Sequence, residues 1–223
     1  MAFSRGPKLD TNGLSLLLDS ANQKSYPGSG NSMYDLSPNK LTSNLVNGAT
    51  SDDVSIKFDG VDDRCITSSE FTVYGNNQTW SAWIKRYSSV NTYNMFMGRY
   101  LPYFAFRSSG QIHFSNNISG QKNVYTTTSD FVDNVWYNVV FITEYDGTNT
   151  TMSIFINGVF NNSGTFTGTQ GGSSSIFTLG DGRNNATWYP FNGEVSHVCV
   201  YDRTLSSDEI YNNYISLKSR FES

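Results

Sequence analysis

The sequence is poor in charged residues, in histidine and cysteine, and in long apolar runs. Charged residues make up 15% of the 223 positions, and there are only two histidines and two cysteines. No run approaches the roughly 20 apolar residues that a membrane-spanning helix needs. The segment Met1 to Asp10 also lacks the apolar stretch of a secretory signal peptide. We therefore expect no membrane insertion, and synthesis in a cytoplasm without secretion.

Basic residues are too few and too scattered to follow a nucleic-acid backbone. The chain has 15 Lys and Arg against 19 Asp and Glu, which gives a net charge of -4. Sequence-independent nucleic-acid binding depends on a basic stripe that contacts several phosphates. The composition therefore excludes nucleic acid as an expected partner.

Aromatic residues are abundant, and this decides between the remaining fold classes. They reach 15% of the chain, with 14 Tyr and 15 Phe. A disordered chain would carry fewer aromatics and more charge. A helical bundle would be richer in Ala, Leu, Glu and Lys, whereas Thr, Tyr, Phe, Val and Ile favour strands. The composition therefore predicts a β-rich domain.

Hydrophobic alternation and turn dipeptides divide most of the chain into strands. Trp80–Tyr87 alternates, Trp136–Glu144 is a long apolar run, and Asn157-Gly158 is a strong hairpin signal. About a dozen such segments predict an all-β fold, namely an antiparallel jelly-roll sandwich of two sheets. Cys65 and Cys199 fall in predicted strands, so we expect two buried thiols rather than a disulfide.

The C-terminus is predicted to form the single helix. Ser206 and Glu209 have the spacing of a capping box. Four apolar residues follow at helical spacing, which places the helix at 206–221: Ile210, Tyr214, Leu217 and Phe221. We expect a flexible N-terminal arm at 1–12 and one domain at 13–223. The start of the arm carries Phe3 and either docks on a larger assembly or is a frayed terminus.

Several segments resemble the laminin-G-like, concanavalin A-like jelly-roll domains of structural proteins in tailed-bacteriophage virions. The resemblance covers residues 13 to 221, and its segments are Gly13–Asp19, Asn22–Gly30, Tyr34–Ser37, Phe58–Asp63, Trp80–Trp83, Trp136–Val140, Phe155–Gly158, Phe191–Gly193, Val200–Ser206, Glu209-Ile210 and Asn213-Tyr214. It implies a virion structural protein: a capsid decoration, neck appendage or tail fibre module. Other virion proteins, copies of the chain within the particle and host-surface glycans are the partners implied.

The sequence shows no catalytic constellation that would make this domain an enzyme. Glucanases of the concanavalin A-like fold carry alternating carboxylates on one strand, and no strand here has that pattern. The expectation is therefore a non-enzymatic protein without catalytic residues. The alternative is a carbohydrate-binding module with no fixed structural role.

Two loops have the side chains that a glycan site requires, namely aromatic faces and planar polar groups. The first contains Tyr93 and lies close in sequence to Tyr100. The second contains Arg183, Trp188 and Tyr189. These five residues are the predicted carbohydrate-binding residues. Trp188 has a second interpretation, in which it folds back over the edge of a sheet.

Three aspartates crowd one turn, and they are the candidate ligands for a structural metal. Laminin-G-like folds often hold Ca²⁺ between loops, and Asp59, Asp62 and Asp63 offer the oxygen ligands that Ca²⁺ takes. The alternative is a solvated acidic turn without a metal. No other cofactor is expected.

Overall fold

The structure is a computed structural model, and it describes residues 9–73, 75–88, 93–99, 101–171, 175–181 and 189–222. About half of the described chain is in β-strands, and one helix follows the last strand. The strands are β1 (Leu14–Leu18), β2 (Ser32–Tyr34), β3 (Thr42–Val46), β4 (Thr50–Ser51), β5 (Ile56–Asp59), β6 (Arg64–Thr67), β7 (Gln78–Arg86), β8 (Tyr93–Gly98), β9 (Tyr103–Arg107), β10 (Ile112–Asn117), β11 (Gln121–Tyr125), β12 (Trp136–Tyr145), β13 (Asn149–Ile156), β14 (Val159–Thr167), β15 (Thr178–Leu179) and β16 (Asn192–Tyr201). The helix is α1 (Ser207–Phe221).

The strands form two eight-stranded antiparallel sheets packed face to face. The back sheet has the order β14-β13-β12-β7-β16-β5-β4, and β1 also pairs with β16. The front sheet has the order β11-β10-β9-β8-β15-β6-β3-β2. The predicted fold class, a two-sheet jelly-roll sandwich with one C-terminal helix, is confirmed.

Aromatic side chains from both sheets fill the core between them. Trp80 of the back sheet is 1% exposed, and its ring lies 5.7 Å from that of Phe104 in the front sheet. Phe104 in turn stacks on Phe141 of the back sheet at 4.2 Å. Successive side chains of a strand point to opposite faces of its sheet, so every second side chain of these strands points into the core between the two sheets.

The hairpin between β13 and β14 follows from the dipeptide Asn157-Gly158. Both residues have positive φ angles, 51° and 76°, and Ile156 pairs with Val159 across them. Two left-handed residues at the centre of a two-residue loop make a type I′ turn, whose twist matches that of the strands. The turn thereby aligns β14 as the outer strand of the back sheet.

Helix α1 covers the outer surface of the back sheet. It begins with the predicted capping box, in which Ser206 and Glu209 each accept a hydrogen bond from the other's backbone N–H. Phe221 in its last turn stacks on Trp83 of β7 at 4.3 Å, and Trp83 is fully buried. Trp136, the first residue of the long apolar run, is half-buried beside Phe221 on this outer surface.

The described part of the predicted N-terminal arm contacts the domain. Leu9 packs against the apolar cluster beneath the start of α1, and Asp10 forms a 2.9 Å ion pair with Arg203. Residues 1–8 lie outside the described residues. No helix in the described chain is both long enough and apolar enough to span a bilayer.

Both cysteines are buried and unpaired. Cys65 lies on β6 of the front sheet and Cys199 on β16 of the back sheet. Their burial agrees with the sequence-based expectation.

Candidate functional site

Tyr93 and Tyr189, one from each loop predicted to bind a glycan, lie in contact. Their ring centroids are 4.9 Å apart in an edge-to-face arrangement. Tyr93 is the first residue of β8, and Tyr189 precedes β16. The backbone N–H of Met95 donates a 2.9 Å hydrogen bond to the carbonyl of Tyr189, which holds the second segment against β8.

The outward side chains of the neighbouring strands extend this contact into an aromatic surface. His113 of β10 stacks on Tyr125 of β11 at 4.8 Å and meets the edge of Tyr103 of β9 at 5.3 Å. It also lies 5.7 Å from Tyr93, measured between ring centroids. We call this cluster on the outer side of the front sheet the aromatic face; it comprises the half-buried Tyr93, Tyr125 and Tyr189 and, beneath them, the buried Tyr103 and His113.

Arg107 inserts its guanidinium between two rings of the aromatic face. The guanidinium carbon lies 4.6 Å from the centroid of Tyr93 and 5.4 Å from that of Tyr125. Planar guanidinium groups stack well on aromatic rings and keep their N–H donors at the edge. Arg107 therefore brings a positive charge and hydrogen-bond donors to this surface.

Amide side chains complete the polar part of the site. Gln121 donates from Nε2 to the hydroxyls of Tyr103 and Ser115, at 3.1 Å and 3.0 Å. Asn123 accepts a 2.9 Å hydrogen bond from Nε2 of His113. Gln121 and Asn123 are exposed, so their remaining donors and acceptors can reach a ligand.

His113 is the most perturbed titratable group of the site. It is 1% exposed, and this burial lowers its pKa to about 4, with a contribution from the positive charge of Arg107. The imidazole is therefore neutral at pH 7. Because Nε2 donates to Asn123, Nδ1 is the acceptor, and it has no partner among the described residues.

The other predicted site residues are not all placed. Tyr100, Arg183 and Trp188 lie outside the described residues. No pattern in the sequence singles out Arg107, His113, Gln121, Asn123 or Tyr125 as site residues. Strand alternation puts His113 on one face of β10, and Gln121, Asn123 and Tyr125 on one face of β11, but it does not show which residues of the neighbouring strands they meet.

The three aspartates of the predicted metal site do come together. Asp59 ends β5 in the back sheet, and Asp62 and Asp63 follow in the turn that leads to β6 in the front sheet. One carboxylate oxygen from each lies within 4.8 Å of the others. The turn is therefore a strongly acidic point at the edge between the sheets.

Solved structures with the same fold include a toxin receptor-binding domain and a sialidase. The receptor-binding domain of botulinum neurotoxin C/D mosaic serotype aligns with a TM-score of 0.70 and 15% identity, over 91% of this chain and 51% of that one. A Trypanosoma rangeli sialidase in complex with 2,3-difluorosialic acid aligns with a TM-score of 0.71 and 18% identity, over 98% of this chain and 35% of that one. The chain thus spans about half of the toxin domain and about a third of the sialidase. At these identities the likeness establishes the fold alone.

The prediction that the chain is not an enzyme is wrong as an inference from its sequence. Proteins with this fold include the sialidase above and a mutant of it that displays trans-sialidase activity, which aligns with a TM-score of 0.71. The missing carboxylate strand excludes one catalytic arrangement and does not exclude catalysis by others. The same likeness, at 18% identity, assigns no activity to this chain.

Comparison of the sequence with family models identifies the family of the chain. No curated protein matches the chain. Residues 58–211, more than two thirds of the chain, match the model of the concanavalin A-like lectin/glucanases superfamily. This segment includes β6 to β16 and every described residue of the aromatic face. The chain belongs to the concanavalin A-like lectin/glucanase superfamily.

Proposed function

We propose that the chain is a glycan-binding domain displayed on a bacteriophage particle, where it contributes to attachment to the host surface. The observation that carries the glycan-binding part is the contact between Tyr93 and Tyr189 beside Arg107. Sugars are recognised by aromatic rings that pack against their apolar C–H faces and by planar polar groups that hydrogen-bond their hydroxyls. The aromatic face and its amides supply both.

The polar groups are suited to neutral or acidic sugars. Gln121 and Asn123 offer amide donors and acceptors, and Arg107 offers charged donors for a hydroxyl or a carboxylate. The surface is also largely preformed, because Tyr103, His113 and Tyr125 sit on paired strands. A preformed site loses less side-chain entropy when it binds.

The particle context is supported by the resemblance of the sequence segments to laminin-G-like virion proteins. A single shallow aromatic site buries little ligand surface, so one domain should bind a glycan weakly. Copies arrayed on a particle raise the apparent affinity through multivalency. A weak site on a repeated virion component is therefore sufficient for attachment.

Two experiments test the two parts of the proposal. A glycan array is probed with the domain tetramerised on streptavidin, and with the monomer as a control for multivalency. We expect the tetramer to bind a defined subset of glycans. If no glycan is bound by either form, the glycan-binding part fails.

Mass spectrometry of purified phage particles tests the second part. The expected result is a stoichiometric virion component. If the protein binds glycans and is absent from the particles, it is a carbohydrate-binding module without a structural role, and the particle context fails separately.

A further inference from the structure

We propose, on the basis of the glycan-binding function above, that the aromatic face selects glycans that carry a carboxylate. Arg107 is the residue that recognises the carboxylate and so determines specificity. Neutral glycans, and glycans whose acidic groups are sulfates, are then bound more weakly at this face.

Acidic side chains are absent from the part of the sequence that supplies most of the aromatic face. Residues 71–129, which include the strands β8 to β11, contain no Asp or Glu, although the chain has 19 of them. The same stretch contains five Lys and Arg. These strands therefore carry no carboxylate that would repel a carboxylate on a ligand.

Four of these five basic residues are directed elsewhere in the structure. Lys85 and Arg86 belong to the back sheet, where they form ion pairs with acidic residues at 2.7 Å and 2.6 Å. Arg99 is 2% exposed, and the ammonium group of Lys122 lies over an aromatic ring of β14 in the back sheet. All five lie in the described chain, and Arg107 is the one that contacts the aromatic face.

The charge of Arg107 is not balanced by an acidic side chain. All 19 Asp and Glu lie in described parts of the chain, and none forms an ion pair with Arg107. Among the described residues its guanidinium makes one hydrogen bond, from Nη1 to the hydroxyl of Tyr125 at 3.4 Å. Its Nε and Nη2 donors therefore stay available to a ligand. Burial lowers the pKa of the neighbouring His113, and the positive charge of Arg107 lowers it further.

The position of the guanidinium suits a carboxylate on a sugar that packs against the tyrosines. Its carbon lies 4.6 Å from the ring centroid of Tyr93, and that ring lies 4.9 Å from the ring of Tyr189. A sugar on these rings has its substituents beside the guanidinium. A planar guanidinium can form two parallel hydrogen bonds to a carboxylate, and such bonds are roughly twice as strong as neutral ones.

A single arginine favours one carboxylate over a densely charged polymer. Polyanions such as nucleic acids are bound by a stripe of several Lys and Arg. Arg107 is the only basic residue in contact with the aromatic face among the described residues. It is also half-buried, and a charge pair that is partly withdrawn from water is stronger than one at the open surface.

The first test compares two copies of an array that carries neutral, carboxylated and sulfated glycans. In one copy every carboxylate is converted into its methyl ester, which removes the charge and keeps the sugar. We expect the tetramerised domain to bind carboxylated glycans and to lose at least about tenfold in affinity on esterification.

Three outcomes of the array contradict the assignment. Binding that esterification leaves unchanged, or that is strongest to neutral or to sulfated glycans, overturns the selection of carboxylates while the glycan-binding function stands. Absence of binding to every glycan removes both.

The second test titrates one identified glycan, as free acid and as methyl ester, against wild type, Arg107→Gln and Lys24→Gln. Lys24 is an exposed lysine between β1 and β2, so its substitution removes the same charge away from the aromatic face. Wild type and Lys24→Gln should prefer the acid at least about tenfold. Arg107→Gln should bind acid and ester equally.

The ratio of the two affinities separates recognition from mere support of the tyrosine rings. Loss of support weakens acid and ester by the same factor, so a preference for the acid that persists in Arg107→Gln would overturn the role of Arg107. Salt gives an independent readout, because screening should weaken binding of the acid to wild type more than binding of the ester. Equal salt dependence of acid and ester would also contradict the assignment.

Discussion

The side-chain amide of Asn94 donates a 3.1 Å hydrogen bond to the backbone carbonyl of Pro190. Asn94 is fully buried, and these two residues directly follow Tyr93 and Tyr189. Because this bond joins the residues next to the two tyrosines, it holds Tyr189 beside Tyr93. The geometry of the aromatic face therefore depends on a buried hydrogen bond as well as on the loops.

We expect Asn94→Ala to weaken both the fold and glycan binding. The substitution leaves the buried Pro190 carbonyl without this donor, which should lower the free energy of unfolding by about 1–3 kcal/mol. It should also reduce glycan affinity, because Tyr189 is no longer held beside Tyr93. Urea denaturation and glycan titration measure the two effects. Unchanged glycan affinity would show that the bond does not set the site's geometry, and unchanged stability would show that it contributes nothing to the fold.

Stability should fall between pH 6.5 and pH 4 because two histidines are buried in the neutral form. Burial lowers the pKa of His113 and of His197 to about 4, from the ordinary value of 6.5. Between these values the unfolded chain binds more protons than the folded one, so stability is complete above pH 6.5 and declines as pH falls. A shift of this size corresponds to at most about 3 kcal/mol per histidine.

Denaturation curves of His113→Gln across this range check the assignment. The stability of the variant should depend on pH about half as strongly as that of wild type, because His197 still contributes to the dependence. If the free energy of unfolding depends on pH in the variant as it does in wild type, His113 is protonated as easily in the folded chain as in the unfolded chain. His197→Gln serves as the matched comparison.

Helix α1 should be essential to the fold because it covers Trp83. Phe221→Ala removes a ring that stacks on Trp83 at 4.3 Å and also contacts Trp136. Loss of a buried phenylalanine costs about 3–5 kcal/mol in a core, and somewhat less is expected at a helix end. Leu217→Ala, at a half-buried position of the same helix, should cost less.

Truncation after Leu205 should yield insoluble or strongly destabilised protein, and an unchanged melting temperature would contradict the packing role of the helix.

Both thiols should be unreactive until the protein unfolds. Burial raises the pKa of Cys65 to about 12 and raises that of Cys199 further. Since the thiolate is the reactive form, a thiol reagent should label neither cysteine in the native protein and both in denaturant. A native mass two hydrogens lower, or rapid labelling of either cysteine without denaturant, would contradict this.

The sequence was sufficient for the elements whose signals are local. The dipeptide Asn157-Gly158 specifies a type I′ turn by itself, and Ser206 with Glu209 specifies the start of α1. Strand β14 is indicated only by that turn and by no apolar alternation of its own, because it is an edge strand with little buried surface and its apolar residues Val159 and Phe160 are exposed. An element without a buried face leaves no alternating apolar pattern to detect.

The site was only partly predictable for a different reason. Loop composition identified Tyr93 and Tyr189, yet their contact depends on β8 and the segment before β16 meeting in the folded chain. Arg107 and Tyr125 become site residues only through the register of β9, β10 and β11. That register is set by packing between distant segments, which no local pattern encodes.

The most direct measurement of the central claim is a titration of a glycan identified on the array against four forms of the domain. These forms are wild type, Tyr93→Ala, Tyr189→Ala and Tyr211→Ala. Tyr211 is a half-exposed tyrosine on α1, on the opposite side of the sandwich, and it controls for the loss of any surface tyrosine.

Glycan binding at the aromatic face predicts that Tyr93→Ala and Tyr189→Ala each weaken affinity at least about tenfold, equivalent to 1.4 kcal/mol. Tyr211→Ala should bind like wild type, and all four forms should give the same circular dichroism spectrum. Equal affinity in all four would place the glycan elsewhere on the molecule and contradict the account.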